Sequence, residues 1–304
     1  MEESFVEAKI DNLKPTMKTL EQLELLKISP DTVVTAKLDG EFNLLSYTKD
    51  GESFTLNKWG HKRRDFLALN QFVEAMNKTG VTHVELLCEL HAKENGKPTN
   101  LPTFIRLAKG EKDFSKIHIA IWDLIKIDGY APKDSYSWRI EEVEKWLKGC
   151  THVSVVPYIK PKTIQEVKDF WKTCVEQQGY EGLVIRDGDQ IFKIKPCLDV
   201  DAVIIGLNKT SSYGKELRLF QKGQVTSIKL ALMKPDGTFI ELSDCASGIN
   251  AEISTALWKL TEYKVGEDDT TIYVKPIVVC TIEYTETYEK NLSLIHISEP
   301  TRPY

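Results

Sequence analysis

No two of the six cysteines form a CxxC pair; they stand apart at 88, 150, 174, 197, 245 and 280. That spacing supports neither a zinc site nor a disulfide framework and fits a reducing compartment. No apolar run reaches the roughly 18 residues of a membrane-spanning helix. No Gly-rich phosphate loop joins a strand to a helix, so neither a Rossmann nor a P-loop site is expected. The opening MEESFVEAKIDNLK is polar and acidic, the wrong chemistry for a secretory leader. These absences predict a cytoplasmic protein, or a viral protein acting in a host cytoplasm, with no membrane partner. An excess of positive charge is also missing: 40 Lys and Arg face 45 Asp and Glu, for a net charge of −5. The surface as a whole is not built to hold a polyanion. A local basic face is still allowed, because phosphate binding needs clustered charge and not a high global pI.

The 304 residues, 28% charged and 41% hydrophobic, suit one large domain or two smaller ones with ample core. Strands are predicted at 32–38, 42–48, 52–57, 82–91, 117–125, 152–158, 182–186 and 191–195. Three apolar stripes at helical spacing lie between them: Phe66, Leu69, Phe72, Val73 and Met76; Ile140, Val143, Trp146 and Leu147; and Ile164, Val167, Phe170, Trp171, Cys174 and Val175. The last two end at Gly149 and Gly179. After about residue 200 the texture becomes short strands separated by turns such as MKPDGTF, the pattern of a small β-barrel. The fold class expected is α+β, with a boundary near Asp199–Asp201.

The stretch VVTAKLDGEF (33–42) places Lys37 at the end of a β-branched run, just before Asp39-Gly40. The plainer reading is a hairpin, with Asp-Gly as its turn, NLLSYT as its return strand and an exposed lysine. The chemical reading is a nucleophile: lysine attacks carbonyl or phosphoryl centres when its amine is held close and readily deprotonated. Gly40 then permits a tight backbone turn, and Asp39 can bond near a sugar or the amine. Downstream, ELLCELHAK carries Glu89, IAIWDLIKIDG carries Trp122, and GYEGLVIRDG sets Glu181-Gly182 at a strand start. FKIKP presents Lys193 and Lys195 on one face, because side chains alternate along a strand. Two lysines aimed into one site repel unless a polyphosphate lies between them. Glu89 and Glu181 offer hard oxygen ligands for Mg²⁺ (or Mn²⁺).

The ordered series KLDG, CEL, IWDL, EGLVIR and KIK resembles the motifs of the lysine-nucleotidyltransferase superfamily, which holds ATP-dependent DNA ligases, RNA ligases and mRNA capping enzymes. LKPTMKTLEQL also resembles the lead-in of DNA ligases, and the likeness runs over roughly residues 10 to 290. It implies an ATP-grasp-like nucleotidyltransferase (adenylation) domain at 1–200 and an OB-fold barrel at 201–291. It further implies ATP, a divalent metal, nicked double-stranded DNA as substrate, and a monomer. Lys37 matches the residue that becomes adenylated and Glu89 the glutamate near ribose and metal. Trp122 matches the aromatic that packs on adenine, although a core tryptophan is the plainer reading. Glu181 matches the metal-ligand glutamate, and Lys193 and Lys195 the phosphate-contacting lysines. Lys58 in LNKWG matches loosely a basic position usually written Ser-Arg-Asn-Gly. KWGHKRR (58–64), with Lys58, Lys62, Arg63 and Arg64, reads equally as a nucleic-acid contact or as a solvated loop.

Two positions depart from the family pattern. Thr35 stands where a glutamate usually reads adenine, and Phe42 where an arginine usually contacts phosphate or ribose. VVCTIEYTE (278–286) resembles a late barrel strand of DNA ligases, which favours DNA nick sealing over RNA joining, capping guanylyl transfer, or a non-catalytic nucleic-acid-binding relative. LSLIHISEPTR (292–302) resembles the translation of a transposon-type sequencing adapter, so 292–304 is expected to be foreign to the barrel, with a final basic Arg-x-Asp-Lys motif missing.

Overall fold

The computed structural model describes residues 16–18, 20–111, 113–209, 223–242, 244–288 and 291–299. The chain divides into two compact units, Met1–Lys195 and Pro196–Tyr304. In the first unit, chain order is β1 (Thr16–Lys18), β2 (Val33–Lys37), β3 (Glu41–Thr48), β4 (Phe54–Asn57), β5 (Lys62–Arg63), α1 (Leu67–Met76), β6 (His83–Glu94), β7 (Lys97–Pro98) and α2 (Leu101–Ile105). It continues with β8 (Ile117–Ile127), α3 (Tyr136–Trp146), β9 (Val153–Val155), β10 (Tyr158–Ile159), α4 (Ile164–Trp171), β11 (Gly182–Asp187) and β12 (Gln190–Ile194). Every predicted strand and helix before residue 196 has its counterpart here. The class is α+β.

The strands build two sheets. One has the order β1-β12-β11-β2-β10; the other runs β5-β4-β3-β6-β8-β9, with β7 on β6. The hairpin reading of KLDGEF fails on this topology. β2 pairs with β11 and β10, whereas β3 pairs with β4 and β6. Asp39-Gly40 therefore carries the chain from one sheet to the other. Gly40 is required at that crossing, since a Cβ there would lie 2.7 Å from the Leu90 carbonyl oxygen.

Alternation along β2 sends Val34 and Ala36 into a core with Leu183, Ile185 and Ile194, sealed by Val167 and Trp171 of α4. Thr35 and Lys37 are left facing the opposite way. Thr163 caps α4, accepting from the Glu166 N–H at 3.2 Å, and Ser135 does the same for α3 at 3.3 Å. The larger core lies under the second sheet, where Leu45, Leu86, Leu90, Ile119 and Ile121 meet Leu69, Phe72 and Met76 of α1.

On that sheet three imidazoles form a ladder. His91 and His118 rings are 5.7 Å apart, and His118 stacks on His152 at 4.5 Å. Burial pushes His91 down to about 3, with the charges of Lys93 and His118 adding to it. Burial and Lys93 push His118 down to about 4. Unfolded, both take up protons near pH 6.5, and folded they do not. Their contribution is therefore intact above pH 6.5 and is lost as pH falls toward these depressed values. Each withheld proton costs at most about 1.4 kcal/mol per pH unit, less for the half-buried His118. Urea unfolding should show stability falling between pH 6.5 and 5, and His118→Gln should flatten that limb. An unchanged slope in the variant would refute the assignment.

The second unit holds β13 (Leu198–Asn208), β14 (Ile228–Met233), β15 (Phe239–Glu241), α5 (Ala251–Trp258), β16 (Lys264–Glu267), β17 (Thr271–Val274), β18 (Val279–Tyr288) and β19 (Asn291–Glu299). β13 is central, pairing antiparallel with β14, β17 and β18. It spans Asp199–Asp201, where the domain boundary was expected. Its register shifts between Ile204 and Gly206, where a Cβ on Gly206 would press on the Thr271 methyl at 2.8 Å. Ala202, Ile204, Leu207, Leu230, Leu257 and Ile282 form the core. α5, capped by Asn250 accepting from the Ile253 N–H at 2.9 Å, was not expected from the β-rich texture. The backbone of β19 pairs with β18 through three register shifts, and residues 300–304 of the segment read as adapter lie outside the described residues.

Candidate active site

A cavity of about 960 Å³ opens between the two sheets of the first unit. Its floor is the face of β2, β11 and β12 that points away from the α4 core. Register sets the order on that floor: Lys37 lies opposite Gly182, Thr35 opposite Val184, and Val184 opposite Lys193. Gly182 is needed for this close pairing, because a Cβ there would sit 2.1 Å from the Ile194 carbonyl oxygen. The facing wall is built by Phe42, Leu87, Glu89 and Trp122 of the other sheet.

The basic end has one shared counter-ion. Glu181, 7% exposed, accepts from the Lys37 Nζ through Oε2 and from the Lys195 Nζ through Oε1. The backbone N–H of Glu181 also donates to the Lys37 carbonyl at 2.9 Å, so the pair is fixed by main chain as well as charge. Lys193 lines the same cavity. Burial holds its ammonium below the usual lysine range, and the neighbouring charge of Lys37 adds to the effect. Glu89 reaches toward this cluster from the other sheet. Its Oε2 is buried and finds no hydrogen-bond partner. Burial raises its carboxyl to about 8; Lys37 opposes the rise, and Glu181 and Asp39 add to it.

The other end is aromatic. Trp122 and Phe42 rings are 6.1 Å apart. Trp122 is half-buried and lines the cavity, so it is not a closed-core tryptophan. Phe42, in the place of the family's arginine, extends this apolar wall. Asp123, adjacent to Trp122, is fixed by Arg139, whose Nε and Nη2 donate at 2.7 and 3.2 Å. Tyr136 donates to the Trp122 carbonyl at 2.6 Å, tying α3 to the wall. Arg186 lies beside both rings. Tyr136 and Arg186 were not singled out from sequence. Arg186 was legible, since it stands two residues from Val184 and must share its face.

Several expected site residues do not line the cavity. Asp39 accepts from the Leu101 N–H at 2.9 Å, so its carboxylate holds the start of α2. Lys58 is exposed and lies over Trp59, its Nζ 4.5 Å from the ring centroid. Arg63 turns inward and grips Glu41 bidentately at 2.6 and 3.1 Å. Lys62 and Arg64 both bind Glu52. The KWGHKRR stretch thus spends much of its charge on its own carboxylates.

Among the described residues no three His, Cys, Asp or Glu side chains group as metal ligands. Mg²⁺ commonly uses only one or two carboxylates, completed by water and phosphate. The unpartnered oxygen of Glu89, close enough to Glu181 for their charges to interact, fits that demand.

A family model described as RNA ligase matches residues 30–195, more than half of the chain and all of the cavity floor and wall. The chain belongs to the RNA ligase family. The ligase likeness read from the five ordered motifs is thereby borne out. No curated protein matches the chain in sequence. Among solved structures, the one described as Pmar-Lig_Pre is 17% identical with a TM-score of 0.61, over 92% of this chain and 64% of that one. A Lig E DNA ligase, described for DNA binding with a minimal scaffold, is 14% identical with a TM-score of 0.57, over 93% and 99% of the two chains. The ligase domain of M. tuberculosis LigD aligns over 96% and 97% at 18% identity, with a TM-score of 0.43. At such identities the first two likenesses are likenesses of fold. Among the described residues no helix is long and apolar enough to cross a membrane.

Proposed function

We propose that this family member is an ATP-dependent polynucleotide ligase that seals nicks in duplex DNA through a lysyl-AMP intermediate. The observation that carries the reading is Lys37 at the basic end of the cavity, sharing Glu181 with Lys195 and flanked by Lys193. An amine, two further cations and an aromatic slot match the parts of a nucleoside triphosphate in order: α-phosphate, polyphosphate, base. Lys37 passes a proton to Glu181, its bonded neighbour, and its free pair forms the N–P bond to the α-phosphate. The bond from that phosphorus to the bridging oxygen breaks, and pyrophosphate leaves with the electron pair. Lys193 and Lys195 balance the charge that develops on the departing oxygens. The AMP then moves to a 5′-phosphate, and the adjacent 3′-hydroxyl displaces AMP to close the strand. Glu89 and Glu181 would hold a divalent cation, which supplies further neutralisation of phosphate charge when bound. The antiparallel strands of the second unit support reading it as an OB-type barrel for nucleic acid, with Lys58 as a contact to the polynucleotide.

A second reading, in which RNA ends are joined, is favoured by the match to the RNA ligase family model. Sealing of nicked DNA against nicked RNA by the same preparation separates the two. Substituting Lys193 or Lys195 by Ala should slow lysine adenylation by roughly a hundredfold or more, the usual cost of losing a preorganised charge stabiliser. Single-turnover rates near those of the unaltered protein in both variants would show the lysine pair to be structural.

A further inference from the structure

Reading the cavity as a nucleotide site, the floor fixes where each part of the nucleotide lies. From Lys37 one step of two residues along the antiparallel strands, roughly 6.6 Å, reaches the Thr35–Val184 pair, and the next reaches Arg186, opposite Val33. With the α-phosphate at Lys37, the base lies over Val184 and under Trp122 and Phe42. Its outer edge then meets Arg186.

At that edge the Arg186 guanidinium presents donors. The Thr35 hydroxyl is already committed, accepting from Arg186 Nη1 at 3.2 Å and donating to the Val184 carbonyl at 3.4 Å. The Tyr136 hydroxyl is committed to the Trp122 carbonyl. The Arg186 guanidinium is held 4.3 Å from the Tyr136 ring centroid and 5.5 Å from that of Trp122. Among the described residues no carboxylate pairs with it. A cation fixed by two rings and a hydroxyl, with N–H groups to spare, is a reader in search of acceptors.

Adenine presents its N6 amine at this edge, a donor against a donor. A 6-oxopurine presents O6 and N7 side by side, the pair that an arginine fork takes bidentately. Asp31, Asp134 and Asp189 line the same cavity and can receive the N1–H and 2-amino donors that guanine adds. We propose that Arg186, held by Thr35 and Tyr136, is the base-specificity residue of this site, and that the cavity takes guanine nucleoside triphosphates at least as well as ATP. The chemistry at Lys37 is unchanged, because the two nucleotides are identical from the sugar to the γ-phosphate.

The test has two independent arms on the full chain. Covalent labelling with α-labelled ATP or GTP reads the reaction, and calorimetric titration with unlabelled ATP, GTP and ITP reads binding without it. The result expected is GTP equal to or better than ATP in both arms, with Arg186→Met lowering the GTP-to-ATP ratio at least tenfold. Arg186→Lys keeps the charge and loses the fork, so it should lower the ratio as well. A preference for ATP in the unaltered protein, or a ratio unmoved by both substitutions, would overturn the proposal. If neither nucleotide attaches to Lys37, the ligase reading falls, while the titration still decides the base preference.

Discussion

Lys37→Ala should abolish covalent nucleotide attachment and leave the fold in place. The label should vanish completely, because no other described lysine has the position: Lys195 is bound to the far oxygen of Glu181, and Lys193 lies two strands away, across β11. Lys37→Arg should be equally inactive, since a guanidinium stays protonated and is no nucleophile. The cost in stability should be small. The Lys37 side chain is 21% exposed, and its loss leaves Glu181 still paired with Lys195. A change below about 1 kcal/mol is expected, the range of a partly solvated ion pair whose carboxylate keeps a second partner. The measurement is label on denatured protein, together with the urea midpoint. Label at the unaltered level on Lys37→Ala would remove the site.

What could be read from sequence followed from whether a side chain acts locally. Alternation along β2 and β12 was enough to put Lys37 and Lys193 on usable faces, and apolar spacing was enough to find α1, α3 and α4. Partner choice is not local. Nothing in KLDGEF says that β2 and β3 belong to different sheets; that is settled by β11 and β6, which lie more than 40 residues downstream. The same holds for Arg63. Its neighbours Lys62 and Arg64 point outward to Glu52, yet one residue of alternation turns Arg63 toward Glu41 and takes it out of any external basic patch. Asp39 sits inside the most telling motif, but its bonding partner, Leu101, is 62 residues away. α5 was missed because Ala251–Trp258 shows only a short apolar stripe between strands, and its Asn250 cap looks like any loop asparagine. Arg186 is different: it stands in the same motif as Glu181, and the period-two rule that places Lys193 also places Arg186 on the cavity face.

Glu181→Gln should be the most damaging substitution that keeps Lys37. Among Lys37, Lys193, Lys195, Glu181 and Glu89, Glu181 is the carboxylate bonded to both Lys37 and Lys195, while burial raises the Glu89 carboxyl. Removing that charge leaves three ammonium groups around one slot. A Gln carbonyl accepts from one lysine but neutralises none. In a fully buried site this would cost about 3–5 kcal/mol. Here the side chains of Lys37 and Lys195 are 21% and 22% exposed and can turn toward water, so about 1–2 kcal/mol is expected. The kinetic loss should be larger. Without the carboxylate, Lys37 has lost its bonded proton acceptor and the orientation of its Nζ, and adenylation should fall roughly a hundredfold to a thousandfold. With Glu181 and Glu89 holding a divalent cation as proposed, the substitution should also raise the Mg²⁺ concentration needed for half-maximal rate. Alkaline pH should recover part of the rate in Glu181→Gln, because solvent hydroxide then takes the proton that the carboxylate no longer accepts. It should recover nothing in Lys37→Ala. A pH–rate profile for both variants, taken with single-turnover labelling, separates loss of the proton acceptor from loss of the site. Full rate in Glu181→Gln at neutral pH would mean that the shared carboxylate is only a structural tie.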